Sequence, residues 1–443
     1  MMIKFLLKFK IIFLGGFMNS LEKRNLVLYV WGRFVSILGS GIQAMAIPLF
    51  ILDLTGSAKI MSTVTMFSLV PMLIMLPIAG VLGDRLNRKH IMVNMDFARG
   101  ILIFIMSVVS IYGGLNITVL IIGQIILAVL DAIFNYSTGS VMLPDLVRSG
   151  DLRKANSLVS SFDWTARILG PAVGGLIYSA VGISGVFLIN AVSFVLSAIS
   201  EIFIVYKRPV IRDKKLSVKI FFEDIKEGLG YIKKSQNLMI LFLFAMFINF
   251  MSTPMFSVVI PFVMRSTIKF DAVQYGAVEM FFSVGILLGN FALVTILSKK
   301  ESKKIIKSGL FFQTIYFVAT SVLMFPAVIM FLNGPSVTMF GLFSLSMAIM
   351  GFFNALINTP LMTIMQKLIP ADMRSRVFSV LDFMGQIAVP VGIFIVGMLS
   401  DKIGVHYIYL VDNIIVFFVV MLFIFSGKEE ILSDEPSPVQ ASK

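Results

Sequence analysis

Apolar runs of membrane-spanning length recur along almost the whole chain, and no other feature limits its fold so tightly. They occupy residues 26–52, 60–82, 90–112, 117–145, 157–180, 183–206, 238–264, 272–297, 305–331, 337–366, 377–400 and 405–426. About 20 apolar residues of helix cross a bilayer core, where a helix satisfies its own backbone hydrogen bonds. The runs therefore predict an all-α membrane protein of about twelve transmembrane helices. A soluble globule is excluded, because 58% of residues are hydrophobic and 14% charged, against about half and a quarter in soluble domains.

A formal net charge of +13 would suggest nucleic acid in a soluble protein. Here the basic residues fall in the gaps between apolar runs. With both termini placed in the cytoplasm, and Lys307 counted at the inner end of its run, inner segments hold 30 of the 37 Lys and Arg. The outer loops hold Lys59, Arg265, Lys269 and Lys402. That asymmetry predicts a multi-pass protein of the cell (inner or plasma) membrane with cytoplasmic termini and no nucleic-acid partner. There is no cysteine, so disulfides, thiolate metal sites and cysteine catalysis are excluded. His90 and His406 are the two histidines, too few for a histidine-rich metal site. No Gly-x-x-x-x-Gly-Lys-Ser/Thr loop exists to cradle ATP phosphates. No cofactor and no enzymatic activity are expected.

The longest polar stretch, 207–237, carries nine Lys and Arg and an amphipathic segment from Phe221 to Leu229. It divides the chain into a cytoplasmic segment 1–25, a six-helix bundle 26–206, a cytoplasmic linker 207–237, a second six-helix bundle 238–426 and a tail 427–443. The linker is expected along the membrane surface, either as a solvated charge run or in a gating role. Residues 1–17 are expected to be an interfacial anchor or to precede a true start at Met18. The tail is expected to be disordered.

The halves repeat. At a constant offset of 222, residues 157–190 align with 379–412, pairing Ser157 with Ser379, Gly170 with Gly392, Gly175 with Gly397, Gly182 with Gly404, and Asn190 with Asp412. Two pseudo-symmetric bundles imply a central cleft near the bilayer midplane and rocking of one bundle against the other. A single chain holds both bundles, so a monomer suffices.

Two motifs stand out. Between runs two and three the chain reads Gly80-Val81-Leu82-Gly83-Asp84-Arg85-Leu86-Asn87-Arg88-Lys89. Its bland reading is a basic loop that sets topology; its functional reading is a charge latch of Asp84 with Arg85, Arg88 and Lys89. The fifth run contains Arg167-Ile168-Leu169-Gly170-Pro171-Ala172-Val173-Gly174-Gly175, where proline bends the helix and glycines admit a close neighbour. The first motif resembles the signature loop of the major facilitator superfamily, with Asn87 where that family usually has glycine. The second is similar to the motif of antiport-type drug exporters in that family. Leu143-Pro144-Asp145-Leu146-Val147, Ala155-Asn156-Ser157-Leu158 and the stretch from Gly182 to Phe194 look like the branch of macrolide-efflux proteins and the enterobactin exporter. That branch often has an aspartate at the position of Asn190 and a glutamine at that of Arg33. The resemblance implies the major facilitator fold and efflux of amphipathic small molecules such as macrolides, or of a specific metabolite such as a siderophore. A non-transporting receptor or assembly protein is the alternative of another class.

Ionisable groups within spans are costly and are candidates for function. Asp96 with Arg99 and Asp163 with Arg167 are spaced to pair along their own helices. Glu201, Glu279, Asp382 and Asp412 lie within two turns of a span end. Asp131 sits in the middle of run 117–145 without a basic neighbour at helical spacing. It is open to three readings: a proton carrier coupled to transport, a structural hydrogen bond or ion pair, or a contact for a cationic substrate. Polar stripes at helical spacing include Gln43 in run one, Gln124, Asp131 and Asn135 in run four, Asn249 in run seven, and Asn354 and Asn358 in run ten. The resemblance implies that these four helices line the cavity, making Gln43, Asn135, Asn249, Asn354 and Asn358 candidate substrate contacts.

Overall fold

A computed structural model of the chain describes residues 19–138, 142–206, 218–370 and 373–426. The N-terminal stretch, residues 207–217 of the polar linker and the tail from 427 lie outside the described residues. Among the described residues the chain is helical, with no strand.

Eleven helices are long and apolar enough to cross a membrane. Those of the first half are α1 (Ser20–Thr55), α2 (Ala58–Arg85), α3 (Arg88–Ile111), α4 (Ile117–Thr138) and α5 (Leu152–Ile202). After a linker helix α6 (Val218–Lys234) come α7 (Gln236–Pro254), which continues through two π turns to Thr267, α8 (Ala272–Val294), α9 (Ser302–Thr320), α10 (Val337–Leu368), α11 (Arg374–Ser400) and α12 (Val405–Phe425).

The 51 residues of α5 would measure roughly 77 Å as one straight helix, more than twice a bilayer core. The helix breaks at Gly182, whose φ of 63° and ψ of −168° suit glycine almost alone. Both arms pack on α1: Gly170 and Gly174 of the first lie against Gly41 and Ile42, and Ser193 of the second lies against Gly39. The fifth and sixth apolar runs are thus the arms of one hairpin, and all twelve expected runs are present. In the second half the repeat partner Gly404 stands at the same turn, capping the start of α12.

The chain divides into two compact units, one of residues 1–47 and 67–221, the other of 48–66 and 222–443. In the first, α3 packs on α4 and α5. Its core gathers Leu26, Tyr29 and Val30 of α1, Met92 of α3 and Phe134 of α4. In the second, α10 packs on α8 and α9, and α11 on α7. Gly285 and Gly289 of α8 lie directly on the backbone of α10, so small residues set the helix separation in both units.

The structure adds local detail at three places. In the fourth run helix is described over Ile117–Thr138, and Leu143–Leu146 forms a short helix with Pro144 in its first turn, with residues 139–141 outside the described residues. Leu143, Leu146 and Val147 of that turn are drawn into the core beside Tyr29 and Phe134. The ninth run is interrupted at Phe325, which takes an extended conformation (ψ 133°) because Pro326 follows it. From Phe222 onward the linker helix α6 belongs to the second unit. Its Ile225, Leu229 and Ile232 pack with Leu238, Phe242, Val377 and Val380 of the second unit. Arg376 of α11 adds ion pairs to Asp224 (3.0 Å) and Glu227 (2.9 Å).

Candidate functional site

The densest charge cluster within the spans lies in the first unit, around Arg99 of α3. Its Nη1 donates to Asp131 Oδ1 of α4 at 2.8 Å, and its Nη2 donates to Asp96 Oδ1 one turn earlier on α3. The guanidinium also lies over the rings of Phe134 (3.9 Å) and Phe194 (4.5 Å), which holds a delocalised cation in an apolar setting. Glu201, at the end of α5, interacts electrostatically with the same guanidinium. It accepts a hydrogen bond from Ser197 Oγ at 3.3 Å, while its Oε2 has no partner among the described residues. Arg99, Asp96 and Glu201 are buried, whereas the side chain of Asp131 is about one third exposed. Three carboxylates therefore share one guanidinium, and Asp131 is the member open to the outside of the cluster.

The expected pair Asp96–Arg99 is formed. Asp131, by contrast, does have a basic partner, brought by the neighbouring helix rather than by its own. Asp163 does not pair with Arg167, which is exposed and has no partner among the described residues. Asp163 instead receives Arg33 of α1, with Nη2–Oδ2 at 2.8 Å and Nε–Oδ1 at 2.9 Å. A two-pronged guanidinium contact joins α1 to α5 more specifically than a pair along one helix would.

For the loop after α2, the side chains of Asp84 and Arg85 and the surroundings of Gly80 lie outside the described residues. Arg88 and Lys89 are described. Arg88 Nη1 meets Asp145 Oδ2 at 2.9 Å, and Tyr206 donates to the same oxygen at 3.1 Å. Lys89 Nζ donates to the carbonyl of Ile202 at 2.7 Å. Asn87 is the N-cap of α3: its side chain accepts from the backbone of Lys89 and His90, a task glycine has no side chain to perform. Asp145 is the partner of Arg88 that reasoning from sequence missed. Its signal was an acid inside Leu143–Val147, an otherwise apolar turn.

The glycine motif has a direct structural meaning. A Cβ at Gly170 would come within 3.1 Å of Gly41 Cα, and one at Gly174 within 3.0 Å of the carbonyl of Ile42. Pro171 lies inside the arm, and Gly175 is buried. The repeat partner Gly392 meets the carbonyl of Phe250 on α7 in the same way.

Of the candidate substrate contacts, Gln43 is buried, and its Oε1 accepts a 2.7 Å hydrogen bond from Asn190. That bond holds α1 to the second arm of α5. Asn135 in the first unit and Asn249 and Asn358 in the second are exposed, and Asn354 is half-buried. Asn249 and Asn358 donate to carbonyls one turn back, at Ala245 and Asn354. Beside them Thr359 donates to Asn290 Oδ1 at 2.8 Å. Among the described residues no group of three His, Cys, Asp or Glu is arranged to hold a metal.

Comparison with known proteins gives a consistent result. The chain is 24% identical over 389 residues to macrolide efflux protein A of Streptococcus pyogenes, covering 87% of this chain and 92% of that one. It is 25% identical over 409 residues to the multidrug efflux pump Tap of Mycolicibacterium fortuitum, covering 89% and 93%. Its fold is similar to a bacterial homologue of the iron transporter ferroportin in an inward-facing state, with a TM-score of 0.72 at 16% identity over 91% of this chain and 99% of that one. It is similar also to the nucleoside transporter NupG, with a TM-score of 0.71 at 14% identity over 92% and 100%. The family model of the Major Facilitator Superfamily matches residues 29–392 and 314–442. Twelve spans, the glycine-mediated contacts of the fifth and eleventh runs and this match together establish that the chain is a membrane transporter of the Major Facilitator Superfamily.

Proposed function

We propose that this transporter exports amphipathic small molecules by alternating access and draws on the proton gradient, with both termini in the cytoplasm. The carrying observation is the cluster of Asp96, Asp131 and Glu201 around the single guanidinium of Arg99. One cation balances one of the three carboxylates, and uncompensated charge is costly in a low-dielectric interior, so a bound proton is the natural counter-charge at each of the other two when they are out of water. Asp131 is the exposed member and the natural place for that proton to enter and leave. The ion pair with Arg99 and proton exchange are compatible: protonation of Asp131 frees Arg99 for Glu201, and that rearrangement is the coupling event.

Export is supported by the likeness to proteins named for macrolide and multidrug efflux, together with the glycine motif on the fifth span. The substrate contacts we assign are the amides left uncovered on the two units: Asn135 on one, Asn249, Asn354 and Asn358 on the other. Polar groups scattered among Phe and Met suit ligands of varied shape.

The test is accumulation of a radiolabelled macrolide and of a lipophilic fluorescent dye in cells expressing the protein, with and without a protonophore, beside Asp131→Asn. Lower accumulation that both the protonophore and the substitution abolish is the expected result, with membrane abundance of the variant checked by immunoblot. Accumulation unchanged for every compound would remove the drug-export reading. A narrow metabolite such as a siderophore would then be the substrate to try.

A further inference from the structure

The second unit contains a cavity that the proposed proton cluster does not touch. It holds about 220 Å³ and lies between α7, α11 and α12. Phe250, Met251 and Met255 form one wall and Gly392 and Val396 another. Asp412 of α12 is the one charged residue in its lining. That residue is only 6% exposed, and its carboxylate has no hydrogen bond or ion pair among the described residues. Its position seven residues into α12 puts it about 10 Å from the helix start.

The internal repeat shows what is missing. Asn190 is the counterpart of Asp412, and its amide is satisfied by Gln43 Oε1 at 2.7 Å and by Ser193 Oγ at 3.0 Å. In the second unit the α7 residues that reach the cavity are Phe and Met, which offer no comparable donor. The first unit therefore fills this place with its own side chains, and the second leaves an acid facing a void. A buried carboxylate without a partner takes either a proton or a counter-ion, and an apolar lining disfavours a hydrated inorganic one.

The mouth identifies what enters. Tyr407, Val411 and Ile415, at successive turns of α12, are each more than 40% exposed, and Ile395 and Ile403 are exposed beside them. This exposed rim is apolar, suited to acyl chains rather than water. A cavity of this size takes a small group such as a methylated ammonium head with its first carbons.

We propose that this cavity binds the ammonium head of a cationic amphiphile, with Asp412 as its counter-ion and the alkyl chain lying along the exposed face of α12. The occupant is either an amine lipid of the membrane or a free lipophilic amine. The site is separate from the proton cluster and from the direction of transport, so its test needs no transport assay.

Purified protein in nanodiscs of phosphatidylglycerol, a lipid without an amine, is titrated with tritiated dodecyltrimethylammonium, with empty nanodiscs as background. Asp412→Asn is expected to weaken binding about tenfold or more, the worth of one good ion contact in such a site. Asp412→Glu is expected to keep most of it, and uncharged dodecanol to bind wild type and Asp412→Asn alike. Replacing half the lipid with phosphatidylethanolamine separates the sources: displacement of the probe identifies an amine lipid as occupant, and unchanged binding identifies a free amine, either outcome upholding the site. Equal affinity of wild type and Asp412→Asn for the probe overturns the proposal. If Asp412→Asn does not fold, Val411→Trp at the exposed mouth is expected to block the probe, and undiminished binding there overturns it equally.

Discussion

Arg99 shows how much rests on single side chains in this bundle. Two carboxylates are hydrogen-bonded to it and two aromatic rings cover it. Arg99→Ala would strand Asp96 in a fully buried position. It should lower stability by about 3–5 kcal/mol, the usual cost of breaking a buried pair from one side, read as a drop in thermal midpoint in detergent. Asp131→Asn is milder for the fold, because Arg99 keeps Asp96 and Asn still accepts a hydrogen bond. Its midpoint should stay near that of wild type while protonophore-sensitive efflux is lost, so the two measurements separate a structural role from a coupling role.

At the scale of elements, glycine decides where helices meet. Gly170→Leu would drive a side chain into Gly41 of α1, where the nearest backbone atoms already stand 3.1 and 3.2 Å from a Cβ. Overpacking of this kind costs about 1–3 kcal/mol or more when backbone must move. The expected outcome is a lower yield of folded protein on size-exclusion chromatography. Nothing surrounds the Cβ position of Gly182, so space is not its constraint; its positive φ is. Gly182→Ala should therefore cost about 1–3 kcal/mol through strain at the α5 hairpin, read as a lower thermal midpoint with the efflux of the surviving protein little changed. The pairing of Gly182 with Gly404 was visible in the sequence as a repeat. That it marks a turn required the dihedral angles.

For the whole molecule, the division into units does not follow the division of the sequence into halves. Residues 48–66, the end of α1 and the start of α2, belong to the second unit although the rest of both helices belongs to the first. Within that unit Asp53 receives Arg265 at 2.6 and 2.8 Å, Lys59 meets Asp401 at 3.3 Å, and Gly397 lies against Ser62. Charge reversal at Asp53 or at Arg265 alone should reduce efflux severalfold, while the double exchange Asp53→Arg with Arg265→Asp restores most of it. Because the pair is partly exposed, its effect on stability should stay within about 1 kcal/mol, so a change in efflux without a change in midpoint would mark it as a contact of the transport cycle.

Much of this was legible in one dimension. The twelve runs, the repeat at offset 222 and the close packing of Gly170 and Gly174 are statements about hydrophobicity and residue size, which lipid and helix geometry translate directly into structure. Pairing between helices was not legible, because a sequence shows which charges share a helix and not which helices are neighbours. Spacing pairs Asp163 with Arg167, whereas Arg33 holds it, and spacing leaves Asp131 alone, whereas Arg99 reaches it from α3. Gln43 lies on a polar stripe, and tertiary packing buries it against Asn190. Asp412 gains its meaning only from the space beside it: the sequence determined that an acid stands there in place of an amide, and the fold decided that no hydrogen bond or ion pair among the described residues comes to meet it.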